Sequence, residues 1–94
     1  MAAFIDTSRP QVLSRRIVWK EANGEMLGFD PESLAVHELN ASLSEVARMC
    51  DGASPVEEIV VAFAERYGLD VESASGEVYN ALKTLRDQDL LETE

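Results

Sequence analysis

Near Leu39 the spacing of apolar residues changes from two to 3.6, and it stays at 3.6 almost to the end of the chain. That change divides the sequence into a strand-forming half and a helix-forming half. The fold class it predicts is α+β, with sheet and helices segregated. Before the change, Val12 to Lys20 is rich in β-branched and aromatic types and reads as a first strand. Ala22-Asn23-Gly24 is a turn, because Asn and Gly tolerate positive φ. Glu25 to Asp30 then returns as a second strand, and Asp30-Pro31-Glu32-Ser33 turns the chain again. Leu34 to Leu39 forms a third strand, with Leu34 and Val36 on one face and Ala35, His37 and Leu39 on the other.

After the change, Leu43, Val46, Ala47 and Cys50 make one helical stripe, with Met49 beside it. Asn40 and Ser42 are both candidate caps, and Ser42 has Glu45 at the capping-box spacing. Asp51-Gly52 ends this helix. The next is predicted to start at Ser54 as N-cap, with Pro55 in the first position and Glu57 closing a capping box. Its stripe is Val56, Ile59, Val60, Phe63 and Tyr67, and Gly68 is its stop. Asp70 caps a third helix running to about Asp87. Its core face is Val71, Ala74, Val78, Ala81, Leu82 and Leu85. Leu90 and Leu91 tuck the chain end onto the core.

Ninety-four residues make one domain with a small core, so few apolar residues can be spared from packing. The reading divides the chain into a flexible arm at 1–11, the folded domain at 12–91 and an acidic tail at 92–94. No apolar run is long enough to span a bilayer, and the N-terminus lacks the basic start and apolar centre of a secretory signal. The single cysteine, Cys50, excludes an internal disulfide and a Cys-rich zinc site, so the expected location is cytoplasmic. Its place on an apolar stripe makes it a core residue.

The formal net charge is −10, and it is uneven. Residues 1–50 hold 7 acids and 5 bases; residues 51–94 hold 11 and 3. Nucleic-acid affinity comes largely from Lys and Arg on phosphates, so the alternative reading, a small DNA-binding regulator, is opposed by the chain's own helical half. There is no glycine-rich phosphate loop and no nucleophile elbow. The one histidine, His37, has no metal-ligating partner at a diagnostic spacing. It is either a surface residue of the third strand or a polar contact to a bound chain. No catalytic residue, metal or cofactor is assigned.

Several short motifs occur in a recognisable order: Leu39-Asn40 closing the third strand, Asp51-Gly52, then Glu58-Ile59-Val60, then a long helix with Leu90-Leu91 after it. Across roughly residues 12–91 the chain resembles the PqqD-like family, also called the RiPP recognition element. The resemblance implies a winged helix-turn-helix with a three-stranded antiparallel sheet followed by three helices. It implies a non-catalytic adaptor, a peptide chaperone, for the leader of a ribosomally synthesised precursor peptide. The leader would add as a strand on the third strand, against the third helix. A radical SAM enzyme, another maturation enzyme or a leader peptidase would be the partner served, with no nucleic acid and no membrane.

An edge strand with unpaired N–H and C=O groups is compatible with that mode. The candidate peptide-binding residues are Leu34, Ala35, Val36, His37 and Glu38 on the strand, and Ser75, Tyr79, Leu82, Lys83 and Arg86 on the helix. Tyr79, Lys83 and Arg86 follow an i, i+4, i+7 spacing. Lys83 and Arg86 are either solvated, paired with nearby acids, or partners for an acidic leader residue. The expected leader therefore carries one or two apolar anchors, each worth about 1.5–3 kcal/mol on burial, and an acidic residue.

Overall fold

The computed structural model describes residues 9–92; most of the expected arm (1–8) and residues 93–94 of the expected tail lie outside them. The strands are β1 (Pro10–Val12), β2 (Val18–Ala22), β3 (Glu25–Phe29), β4 (Val36–Glu38) and β5 (Asp51–Pro55). The helices are α1 (Ala41–Arg48), α2 (Val56–Tyr67) and α3 (Val71–Asp87). β2, β3 and β4 form a three-stranded antiparallel sheet in that order, and β1 and β5 pair antiparallel as a separate ribbon. The fold is therefore α+β with a three-stranded sheet and three helices, as the change of period predicts.

The β2–β3 hairpin closes on Asn23 and Gly24, both left-handed (φ 56° and 80°). Two consecutive positive φ angles match the right-handed twist of the strands, which is why an Asn-Gly pair makes so strong a hairpin signal. α1 is capped by Asn40, whose side chain accepts from the Leu43 N–H, and α3 by Asp70, which accepts from the Ser73 N–H. Gly68 ends α2 in the left-handed region. The core joins Met26 and Leu39 from the sheet side to Val46, Ile59, Val78, Leu82 and Leu85 from the three helices. Leu90 and Leu91 are buried with them, and Cys50 is a core residue.

Four expectations need correction. The first predicted strand, 12–20, is two elements: Val12 belongs to β1, while β2 starts only at Val18. Pro10 and Gln11, assigned to the arm, are ordered by pairing with β5. The segment after α1 is a strand, so Ser54 does not cap α2. Asp51 takes the local hydrogen bonds instead, its carboxylate accepting from the N–H groups of Ala53 and Ser54, and the N-cap position falls to Pro55 without a side-chain bond. Finally, Val71 is exposed at the start of α3 and Tyr67 is only partly covered, stacked on Phe63 at 4.6 Å between ring centroids.

The sheet has two unlike faces. Trp19, Gly28 and His37 lie in register across β2, β3 and β4 on the inner face, which also carries the buried Met26. Gly28 is required there by close approach: a Cβ would sit 2.8 Å from Cζ3 of Trp19. The outer face carries Val18, Phe29 and Val36 as one row and Lys20, Leu27 and Glu38 as the next.

Candidate functional site at the open edge of β4

β4 pairs with β3 on one side, and among the described residues nothing pairs with its other side. Asp30 N–H donates to the Ala35 carbonyl and Leu39 N–H to the Met26 carbonyl, so Ala35 and Leu39 direct their backbone groups toward β3. Antiparallel strands alternate strictly, which places His37 with them and turns Val36 and Glu38 the other way. Each of these two residues therefore presents one N–H and one C=O off the sheet. Their side chains lie on the outer face, so the groups available for pairing and the side chains beside them belong to the same residues.

Both ends of β4 are held. At its start, the Asp30 carboxylate accepts from Glu32 N–H (2.9 Å) and from Arg16 Nη1 (2.6 Å). The hydrogen bond from Arg16, helped by the backbone N–H groups of Glu32 and Ser33, outweighs burial and pulls the Asp30 pKa down to about 2. The same turn puts Leu34 in the left-handed region (φ 64°) with 70% of its surface exposed. A leucine there costs on the order of 1–2 kcal/mol, so the turn holds a strained apolar residue in the open next to the edge. At the other end, the fully buried Ser44 of α1 enters the ladder. Its hydroxyl accepts from Met26 N–H (2.9 Å) and donates to the Leu39 carbonyl (3.1 Å). The hydroxyl thus bridges the two groups that a continued β3–β4 ladder would join directly.

β4 also touches α3. His37 Nδ1 donates to Gln88 Oε1 at 3.0 Å, just past the end of the helix. Beyond β4 the surface dips between α1 and α3 into an open depression of about 250 Å³. Asn40 and Leu43 form one wall, Glu77, Asn80, Ala81 and Thr84 the other, with Phe63 of α2 between them.

This geometry separates the predicted site residues. Leu34, Ala35, Val36, His37 and Glu38 are brought together along the edge, with Leu34 in the turn rather than in the strand. Leu82 is fully buried and presents nothing to a bound chain; it is a core residue. Ser75, Tyr79, Lys83 and Arg86 lie on the flank of α3 that does not line the depression. At 3.6 residues per turn they are centred about 160° around the helix from Glu77, Asn80, Ala81, Thr84 and Gln88. The α3 flank that lines the depression therefore carries carboxylate, amide and hydroxyl groups, and Lys83 and Arg86 are not on it. The structure adds four residues that the sequence reading did not name: Ser44 of α1 at the end of β4, and Asn80, Thr84 and Gln88 along one flank of α3. The i, i+4, i+8 spacing of the last three is readable in the sequence; which flank of the core stripe lines the depression is not.

Among the described residues no group of three His, Cys, Asp or Glu is placed to hold a metal ion, and no helix is long and apolar enough to cross a membrane. Burial, with a smaller contribution from Asp51, pushes the Cys50 thiol up to about 12, which is unlike a nucleophile.

The fold and edge define a class: a small α+β domain whose three-stranded sheet is left open beside a helix pair. The chain belongs to the PqqD family, whose model, described as Coenzyme PQQ synthesis protein D, matches residues 25–91. Among solved structures it is similar to one described as "TbiB1 in Complex with the TbiA(beta) Leader Peptide", with a TM-score of 0.79 and 22% identity over 88% of this chain and 96% of that one. No curated protein sequence matches it.

Proposed function

We propose that this domain is a non-catalytic adaptor that takes the leader of a ribosomally synthesised precursor peptide as an added strand on β4. It then presents the precursor to a cytoplasmic maturation enzyme, a radical SAM enzyme or a leader peptidase. One observation carries the reading: the backbone groups of Val36 and Glu38 face off the sheet with no partner strand among the described residues, and both ends of their strand are fixed. A pre-ordered edge lowers the ordering cost that a bound peptide must otherwise meet. Family membership and the structural similarity to a chain solved with a leader peptide support the same reading. Within it, residues 12–91 are the binding domain, and Leu34 to Glu38 are its strand-side contacts. The helix-side contacts move to the Asn80–Thr84 flank, while Ser75, Tyr79, Lys83 and Arg86 are left for contacts outside the groove.

The test is a titration with leader peptides from short precursor genes beside this one, followed by amide NMR and hydrogen exchange. Binding should shift the Val36 and Glu38 amides and slow their exchange. Saturable binding that leaves both amides unchanged would place the peptide elsewhere and end the proposal. Duplex DNA at low salt serves as the control, and the excess of acids predicts no binding.

A further inference from the structure

The outer face of the sheet carries two rows that stop abruptly at the open edge. Val18, Phe29 and Val36 are directly opposed across the three strands and are 52%, 38% and 61% exposed. They form a continuous apolar strip on a surface with nothing over it among the described residues. The adjoining row is Lys20, Leu27 and Glu38. It ends on a carboxylate, and no ion pair holds Glu38 among the described residues. Its row-mate Lys20 is two strands away, on the order of 10 Å at the usual strand spacing.

We infer that the strand received by β4 carries a β-branched or aromatic residue opposite Val36 and a lysine or arginine opposite Glu38, two positions apart. The inference rests on the strand-addition reading above and specifies the chemistry of that strand. Val36 and Glu38 are the residues whose N–H and C=O face outward, so an antiparallel guest exchanges both bonds with each of them through the directly opposed residue, and a parallel guest bonds to each through the two residues flanking the opposed one. Side chains opposed across such a pair share one face of the sheet. An apolar residue at the first position lengthens the Val18–Phe29–Val36 strip, and a cation at the second neutralises the exposed Glu38. The spacing of two holds whether the guest runs parallel or antiparallel, because side chains alternate in both. A domain of net charge −10 also draws basic peptides toward it. The expected acidic leader residue is thereby replaced by a basic one. The residue between the two positions points to the other face, toward His37 and the polar flank of α3.

A random library of displayed twelve-residue peptides can be selected against the full chain, against Glu38→Lys and against Val36→Ser. Both substitutions are on exposed side chains, and their amide spectra report whether the fold survives. Peptides from the parent chain should shift the Val36 and Glu38 amides and share an apolar and a basic residue two positions apart, in the order apolar-x-basic for a parallel guest and basic-x-apolar for an antiparallel one. The best of these, made synthetically, should lose about three- to tenfold in affinity for Glu38→Lys. Exchanging its basic residue for Glu should recover that loss. Val36→Ser should erase the preference at the apolar position and leave the charge preference in place. If selected peptides shift the β4 amides but show neither preference, or if Glu38→Lys leaves their affinity unchanged, the inference is overturned while strand addition stands. If no selected peptide shifts the β4 amides, strand addition itself fails and the inference with it.

Discussion

The two edges of the β2–β3–β4 sheet are both short strands, five residues in β2 and three in β4, and they are finished differently. On β2 the alternation set by the hairpin turns Glu21 off the edge, and its carboxylate is held by Arg48 of α1 at 2.7 Å. The same guanidinium donates to the Gly24 carbonyl (2.7 Å), so it straddles the end of the hairpin. Lys20 adds a second charge along that edge. On β4 the flanking residues are the exposed Val36 and Leu34, and among the described residues no strand pairs with that edge. Charged side chains blunt an exposed strand against unwanted pairing. The sheet is thus blunted at β2 and left open at β4, and the open side is the one whose ends are held by Asp30 and Ser44.

The largest effect should come from removing the anchor that ties the end of β4 to β3. Ser44→Ala deletes the hydroxyl between Met26 N–H and the Leu39 carbonyl and leaves both buried groups unpaired. A cost of about 1–3 kcal/mol is expected in denaturant unfolding. Amide exchange should accelerate at Leu39 and along β4 more than in the Ala22–Glu25 hairpin. Equal acceleration at both edges would mean that the hydroxyl supports the whole sheet rather than one side of it.

Next is Val36→Pro. The lost N–H is one that β3 does not use, and proline is tolerated at an edge position of this kind. Stability should change little, while leader affinity falls about tenfold, the equivalent of about 1.4 kcal/mol. Glu21→Pro, the matching change on the other edge, should leave affinity unaltered. If calorimetry shows the two variants binding alike, the contrast between the edges has no bearing on binding.

How much of this was readable beforehand depends on the range of the interactions. Asn23-Gly24, the Asn40 and Asp70 caps and the Gly68 stop act within four residues, and all appear where the sequence puts them. β5 was missed because Asp51-Gly52-Ala53-Ser54-Pro55 has no strand-forming composition of its own. It is a strand because β1, about forty residues earlier, pairs with it. The flank of α3 that lines the depression was not readable for a related reason. A buried stripe has two flanks, and periodicity says nothing about which one a distant strand will adjoin. Tyr79, Lys83 and Arg86 carried the more recognisable chemistry, yet Asn80 and Thr84 line the depression past the end of β4 and Gln88 is the residue bonded to His37. That the third strand is an edge was legible from the order of strands, and the structure places Leu34 to Glu38 along it.

A pH titration sharpens the comparison at the start of β4. The folded-state pKa of Asp30 is depressed to about 2 from an ordinary value near 3.8. Its contribution is therefore fully present above about pH 4 and is lost as pH falls toward 2. The Glu32 and Ser33 amides, which the carboxylate accepts from, should titrate with a midpoint near 2 by NMR. Leader binding should weaken over the same interval as the Leu34 turn loosens. A midpoint near 4 would show that Arg16 does not hold the carboxylate in solution.

The smallest effect on stability, and the strictest check on the blunted edge, belongs to Arg48→Ala. The Glu21–Arg48 bridge is solvent-exposed, and such pairs contribute little to folding, so the thermal midpoint should fall by less than in Ser44→Ala. What the substitution removes is the charge and bulk lying across Glu21 and the Gly24 carbonyl. With that cover gone, the Glu21 N–H and C=O become as accessible as those of Val36. Leader peptides should then show a second, weaker site whose occupancy shifts the Glu21 amide, while the β4 site keeps its affinity. If β2 remains silent toward peptide in Arg48→Ala, cover does not distinguish the edges. The apolar residues Leu34 and Val36 would then be what makes β4 receptive, and replacing both with lysine should abolish binding while the edge stays open.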